Sequence, residues 1–382
     1  MGGYLSVAIG YQLTQAGVSV EEVAALIAFS YLPQTWKFLW APIADTTLSR
    51  KTWYLLAGVV SALGIFVTGA VPADERSLPL LYAAVLVSNV AVTFLAMATE
   101  SLMVYNTAPE LHGRAGGWFQ AGNLGGNGLG GGAGLWLAQT LPEPWMAGAL
   151  LAIACMLCGA ALWFVPEPPR IARTGHYART LLAVLNDLWQ VARARAGFLA
   201  LLICFLPIGS GAASNLWSAV ADDWHASANT VALATGVFSG IVSAVGCVFG
   251  GYCSDRMDRK TSYALYGLLM AICAIAMALA PRTEPMFVVF TLTYAFIQGL
   301  TYAGFTALVL EAIGLGAAAT KFNLYASLSN MPIAYVTLID GWAHTRWGAA
   351  GLLNVEAAIG VAGIIVFVGI ATMLPRKAVR AA

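Results

Sequence analysis

Apolar residues run in blocks of about 20 along this chain, broken by short polar turns, and each block is long enough at 1.5 Å per residue to cross roughly 30 Å of hydrocarbon. The blocks centre near Val7, Phe29, Gly64, Val92, Gly128 and Met156, and then, beyond the longest polar stretch, near Ile208, Ser243, Met270, Ala303, Ala334 and Gly363. This pattern predicts an all-α membrane protein with about twelve transmembrane helices in two pseudo-symmetric six-helix halves, 1–165 and 196–382, joined by a linker over 166–195. Within the linker, Leu181, Leu185, Leu188 and Trp189 recur at helical spacing beside Arg179, Asn186, Asp187 and Arg193, which predicts an amphipathic helix on the membrane surface. The first block holds only about fifteen residues before Gly17, roughly 22 Å of helix, so the first helix is expected to be truncated and the true start to lie upstream of Met1.

Composition supports lipid as the solvent. The 382 residues are 59% hydrophobic and 10% charged, against about 25% charged in soluble chains. A net charge of +1 points to no nucleic-acid or polyanionic partner. Assigning the loops alternately to two sides places Arg76, Arg282 and Arg346 on one side. Every other Lys and Arg falls on the opposite side, except Lys37 within a block. By the positive-inside tendency this puts both termini and the linker in the cytoplasm; the protein is expected to be a multi-pass monomer of a bacterial inner membrane. The six cysteines lie in or at the ends of apolar blocks and predict no disulfide; the Cys155-x-x-Cys158 pair lacks a second ligand pair and reads as packing.

Two loops share one device. Asp45 is followed by Arg50 and Lys51 after the second block, and Asp255 and Arg256 by Arg259 and Lys260 after the eighth. Six helices separate the copies, as in parallel repeats. The second copy resembles the G-x-x-x-D-R-x-x-R-K loop of the major facilitator superfamily, which implies that family's fold. In both loops carboxylate and basic groups at the cytoplasmic interface are expected to act as a gate that latches one state and breaks when the halves rock. The stretch Pro33-Gln-Thr-Trp36-Lys37-Phe-Leu-Trp40-Ala-Pro42-Ile-Ala-Asp45 resembles the helix-two signature of AmpG-like muropeptide permeases and acetyl-coenzyme A transporters. A second segment, Phe322-Asn-Leu-Tyr325-Ala-Ser-Leu-Ser-Asn330, resembles helix eleven of the AmpG-like permeases. Helix four departs from that family, carrying Thr99-Glu100-Ser101 where a Gln-Asp-x-x-x-Asp-Ala run is usual. The resemblance implies inward transport of a muropeptide or related amino-sugar peptide.

Charges at membrane depth cost about 2.5–3.5 kcal/mol on insertion scales and mark function. Lys37, flanked by Trp36 and Trp40 and expected mid-helix, is assigned to an anionic solute group or to pairing with Glu100. Glu100 or Glu311, on equivalent helices of the two halves, is assigned to carry a coupling proton. Asp340 and Glu356 are expected to be interfacial. Gln120, Asn123 and Asn127 interleave with the glycines of helix five and, with Asn215, Trp217, Gln298, Tyr325 and Asn330, line the expected solute pathway. His112, His176, His225 and His344 lie in loops without metal-ligand spacing, and no Walker loop or hydrolase motif occurs. No cofactor or metal is expected, and the partners are a small solute, protons and the lipid bilayer. The expected activity is proton-coupled symport of a polar solute by alternating access. Alternatives are an iron-siderophore permease, a non-transporting membrane sensor and a membrane acyltransferase.

Overall fold

The computed structural model describes residues 1–40, 43–44, 47–106, 112–167, 182, 186, 189, 193, 195–254, 256–313, 324–325 and 327–373. All regular structure among them is helical. Helix α1 is a π-helical stretch, Tyr4–Ile9, continued as Gly10–Gln15. Then come α2 (Val20–Trp36), α3 (Arg50–Ala70), α4 (Leu78–Asn106) and α5 (His112–Thr140). Helix α6 (Trp145–Cys158) is prolonged by the 3-10 stretch Gly159–Phe164. After α7 (Arg195–Cys204), α8 runs from Ala228–Val231 through a π-helical stretch, Ala232–Phe238, into Ser239–Ser254. Helices α9 (Arg259–Leu279) and α10 (Glu284–Ile313) follow. The last stretch, Asn330–Met373, breaks at Gly348 (φ 65°, ψ −167°) into α11 (330–347) and α12 (349–373). Seven stretches among the described residues are long and apolar enough to cross a membrane, the broken last one counting once.

Short polar residues set the helix starts. The Ser19 hydroxyl accepts the Glu22 N–H while the Glu22 carboxylate accepts the Ser19 N–H, a reciprocal cap that begins α2. Ser49 caps α3 through Thr52 N–H, and Asp258 caps α9 through Thr261 N–H. At Gly348 a side chain would be strained by the positive φ, and glycine lets the chain leave one helix and enter the next.

Two expectations are corrected. The seventh block predicts one continuous helix near Ile208, but α7 stops at Cys204 and gives way to 3-10 turns at Ala212–Leu216 and Ala221–Trp224. Pro207 removes an N–H, and Gly209 and Gly211 take left-handed φ of 54° and 72°. A Cβ on Gly211 would lie 2.1 Å from Gln298 Nε2, so only glycine leaves room for that amide. Likewise Lys37 is not mid-helix: α2 contains Pro33, ends at Trp36, and Lys37 opens the 3-10 turn Lys37–Leu39. Most of the predicted linker helix lies outside the described residues.

Alternation of the helices defines two ends. Ala16–Ser19, Val71–Asp74, Leu141–Pro144, His225–Ser227, Pro281–Thr283 and Gly348 lie at the far end; Arg50, Lys51, Arg256, Arg259 and Lys260 lie at the basic end. Along the seam between the halves, α5 meets α8 and α11 meets α2 through glycines. A Cβ on Gly128 would lie 2.7 Å from the Gly236 carbonyl, one on Gly132 2.5 Å from the Ala232 carbonyl, and one on Gly341 2.3 Å from Ala24 Cβ. Nearer the basic end, Gly122, Gly125 and Gly126 have nothing within 4 Å of such a Cβ. α5 and α8 touch from Gly132 down to Leu124, whose carbonyl would lie 3.0 Å from a Cβ on Gly240, and beyond that level a groove opens along α8 toward the basic end. The resulting groove of about 770 Å³ is bordered by Gly125, Gly240, Ile241, Val245 and Val248.

Candidate functional site

Three polar levels follow one another along the axis. At the basic end, the turn that ends α2 carries Lys37 to Glu100 of α4, with Nζ and Oε1 3.8 Å apart and both side chains largely covered. Glu100 stands six residues from the end of α4, about 9 Å of helix, so this pair is shallower than its place in an unbroken apolar block implies. Trp36 beside it is 47% exposed, and the indole N–H of Trp40 donates to Thr93 at 2.9 Å. Arg50 Nε donates to Ser101 Oγ at 2.6 Å. The backbone N–H groups of Arg50 and Lys51 each donate to one Glu167 oxygen at 3.1 Å, a carboxylate at a helix N-terminus. Lys51 Nζ also donates to the Leu162 carbonyl.

In the second copy of the loop, the Arg256 guanidinium lies 3.4 Å from the Tyr252 ring centre and Nη1 donates to that residue's carbonyl. Asp258 caps α9, and the Thr261 N–H holds its carboxyl below the usual carboxylate range. Asp45 and Asp255 lie outside the described residues, as do the side chains of Gln120 and Glu311. Arg259 and Lys260 both have partners. The basic groups whose bonds are described here tie helices within one half: Arg50 and Lys51 join α3 to α4 and to the end of α6.

The middle level crosses the seam. Tyr31 of α2 donates through its hydroxyl to Asn215 Oδ1 at 3.0 Å, and Asn215 Nδ2 donates to Thr337 Oγ1 of α11 at 3.1 Å. Asn215 sits on the 3-10 turn after α7, so the break in that pass positions the amide between the halves. Nearby, Gln298 Nε2 donates to Ser214 Oγ at 3.3 Å. Asn330 donates to the Ser327 carbonyl at 3.3 Å and borders a cavity of about 60 Å³ with Ser210, Tyr302 and Tyr263. Tyr325 is buried against Cys204. Asn127 donates to Asn123 at 3.3 Å and accepts the Gly3 N–H at 3.0 Å, and both residues are exposed on α5. Among the residues expected to line the pathway, bonds are thus described for a basic-end pair, a seam bridge and an α5 pair.

At the far end, polar bonds close the seam. Gln15 Nε2 donates to Asp222 Oδ2 at 2.7 Å and Arg346 approaches Glu21 at 3.7 Å, while deeper in the seam Ser218 donates to the Ser6 carbonyl. Within the C-terminal half, His344 Nε2 meets Asp223 at 2.7 Å.

A fourth group departs from the sequence reading. Asp340 is 0% and Glu356 5% exposed, lying against each other inside the C-terminal half rather than at an interface. Tyr294 of α10 donates to Glu356 Oε1 at 2.6 Å, and its ring packs edge-on against the Trp217 indole with centres 5.2 Å apart. Among the described residues neither oxygen of Asp340 has a hydrogen-bond partner, nor does Glu356 Oε2. The signal in the sequence is a lone acid in the apolar run Met331–Ala343.

Comparison with known proteins agrees with this layout. The sequence matches the Major Facilitator Superfamily over residues 1–337. Curated protein sequences gave no significant match. Among solved structures, the fold is similar to a D-xylose–proton symporter (TM-score 0.75, 13% identity, covering 98% of this chain and 95% of that one). It is also similar to the inward-open xylose transporter XylE from E. coli (0.73, 12%, covering 100% and 95%). A third similar structure is the nucleoside transporter NupG (0.69, 14%, covering 97% and 95%).

Proposed function

The chain belongs to the major facilitator superfamily, and from that premise we propose that it is a proton-coupled importer of a polar solute, working by alternating access between two six-helix halves. The observation that carries this reading is the asymmetric seam: glycine contacts and the Gln15–Asp222 and Glu21–Arg346 links close the halves at the far end, while a groove of about 770 Å³ opens along α8 toward the basic end. With the basic loops in the cytoplasm, as the positive-inside tendency implies, this is an inward-facing state in a bacterial inner membrane. The neighbours titled as a D-xylose–proton symporter and an inward-open transporter are in keeping with coupling and state.

The site supports a solute with amide or sugar groups and an anionic end. Asn215, Tyr31 and Gln298 offer donors and acceptors at the seam, and Lys37 with Trp36 offers a cation and an aromatic face nearer the basic end. The resemblance around Pro33–Asp45 and Phe322–Asn330 to AmpG-like permeases makes an anhydromuropeptide the proposed solute. In this reading Asp45, Arg50, Lys51, Asp255, Arg256, Arg259 and Lys260 form the cytoplasmic gate, and the protein acts as a monomer.

The test is uptake of a labelled anhydromuropeptide into right-side-out and inverted vesicles, with and without an imposed proton gradient. Gradient-dependent accumulation in right-side-out vesicles is expected. Equal uptake with and without the gradient would contradict proton coupling, and no uptake in either orientation would remove the muropeptide.

A further inference from the structure

The carboxyls of Asp340 and Glu356 occupy equivalent depths on adjacent arms. Each lies eight residues from Gly348, about 12 Å of helix below the far-end bend. Both are buried inside the protein rather than against lipid, and no Lys, Arg or His among the described residues pairs with either. A doubly ionised pair in that setting has neither water nor a counter-ion to offset the repulsion between its members. One proton changes this. As the hydrogen of an O–H on one carboxyl it donates to an oxygen of the other, the pair falls from two negative charges to one, and the Tyr294 hydroxyl already donates to that remaining charge at Glu356 Oε1.

We propose that Asp340 and Glu356, with Tyr294, are the binding site of the coupling proton. This rests on the transporter reading above but assigns the proton to residues other than Glu100 and Glu311. Burial of the pair is tolerable only with a proton bound, so closing of the far end requires protonation there. Opening of the far end admits water, from which the pair takes its proton. The solute site is within reach of this change. Thr337, three residues before Asp340 and on the same face of α11, accepts the Asn215 amide that also binds Tyr31 across the seam. Tyr294 from α10 faces the pair, and Cys273 from α9 lies near Tyr294. Among charges nearby, Glu21 is engaged with Arg346, Asp223 with His344 and Asp222 with Gln15, and the Arg282 guanidinium in the α9–α10 turn lies over the Trp224 ring, 4.1 Å from its centre.

Infrared difference spectroscopy of the purified protein tests the site without any solute. At neutral pH a protonated-carboxyl C=O stretch that shifts in deuterium oxide is expected. Asp340→Asn and Glu356→Gln should each abolish it, and Glu100→Gln should leave it unchanged. The two isosteric variants guard against failure of either one to fold. A band absent from the wild type, or untouched by both variants, would overturn the proposal. In vesicles, Asp340→Asn is expected to lower gradient-driven uptake by about tenfold or more while solute counterflow persists; undiminished gradient-driven uptake would overturn it. If wild-type vesicles take up no muropeptide, the solute assignment falls, and the infrared band still decides the proton site.

Discussion

Lys37 and Glu100 show how exposure sets the worth of one contact. At 3.8 Å and with partial cover, the pair falls between an exposed ion pair, about 0.5 kcal/mol, and a buried one whose breakage costs about 3 kcal/mol or more. Lys37→Met strands the Glu100 charge and Glu100→Gln strands that of Lys37, so each single change is expected to lower thermal stability in detergent. The double variant should regain most of the loss by removing both charges, yet remain defective in uptake because the cation offered to the solute is gone. Uptake restored along with stability would show that Lys37 serves structure alone. The charged residues are conspicuous in the sequence, but their depth is not. The apolar run continues past Lys37 and so predicts it inside a helix, whereas Pro33 and the turn at Trp36 bring it to a helix end. Asp340 and Glu356 read as near helix ends, and the bend at Gly348 puts both well inside. Both errors come from backbone breaks that a count of hydrophobic residues does not register.

Among the elements, the glycines do two different jobs. Inside the C-terminal half, a Cβ on Gly299 would lie 2.1 Å from the Ser243 carbonyl and one on Gly246 2.2 Å from the Phe296 carbonyl, so α8 and α10 touch backbone to backbone. Alanine at either position should overpack a permanent contact and cost about 1–3 kcal/mol, read as a lower melting temperature. Gly236 sits on the seam, 2.5 Å from Gly132 Cα by the same construction. Alanine there strains only the closed far end, and the expected result is a shift toward far-end opening with little loss of melting temperature. Faster alkylation of a cysteine placed at Ala16 would report that shift; an unchanged rate with a lower melting temperature would place Gly236 with the permanent contacts. The glycine richness of α5 is plain in the sequence. Which of its glycines meet a partner (Gly128, Gly131, Gly132 and Gly134) and which face open space (Gly122, Gly125, Gly126 and Gly130) depends on how the neighbouring helices cross it, which one stretch of sequence does not encode locally.

For the whole molecule, the block pattern anticipates helical passes and a family fold, because lipid imposes length and apolarity on every span. It does not anticipate the irregular seventh pass, where Pro207, Gly209 and Gly211 trade helix for a turn that carries Asn215 to the seam. The central claim is that the halves rock about this seam, opening one end as the other closes. Spin-label distances test it most directly, with one pair at the far end, Ala16 and Asn229, and one at the basic end, Leu48 and Met257, all exposed positions. On raising the pH, which removes the proton that the closed far end requires, the far-end distance should lengthen while the basic-end distance shortens. Distances that stay fixed, or that change in the same sense at both ends, would contradict alternating access by these two halves.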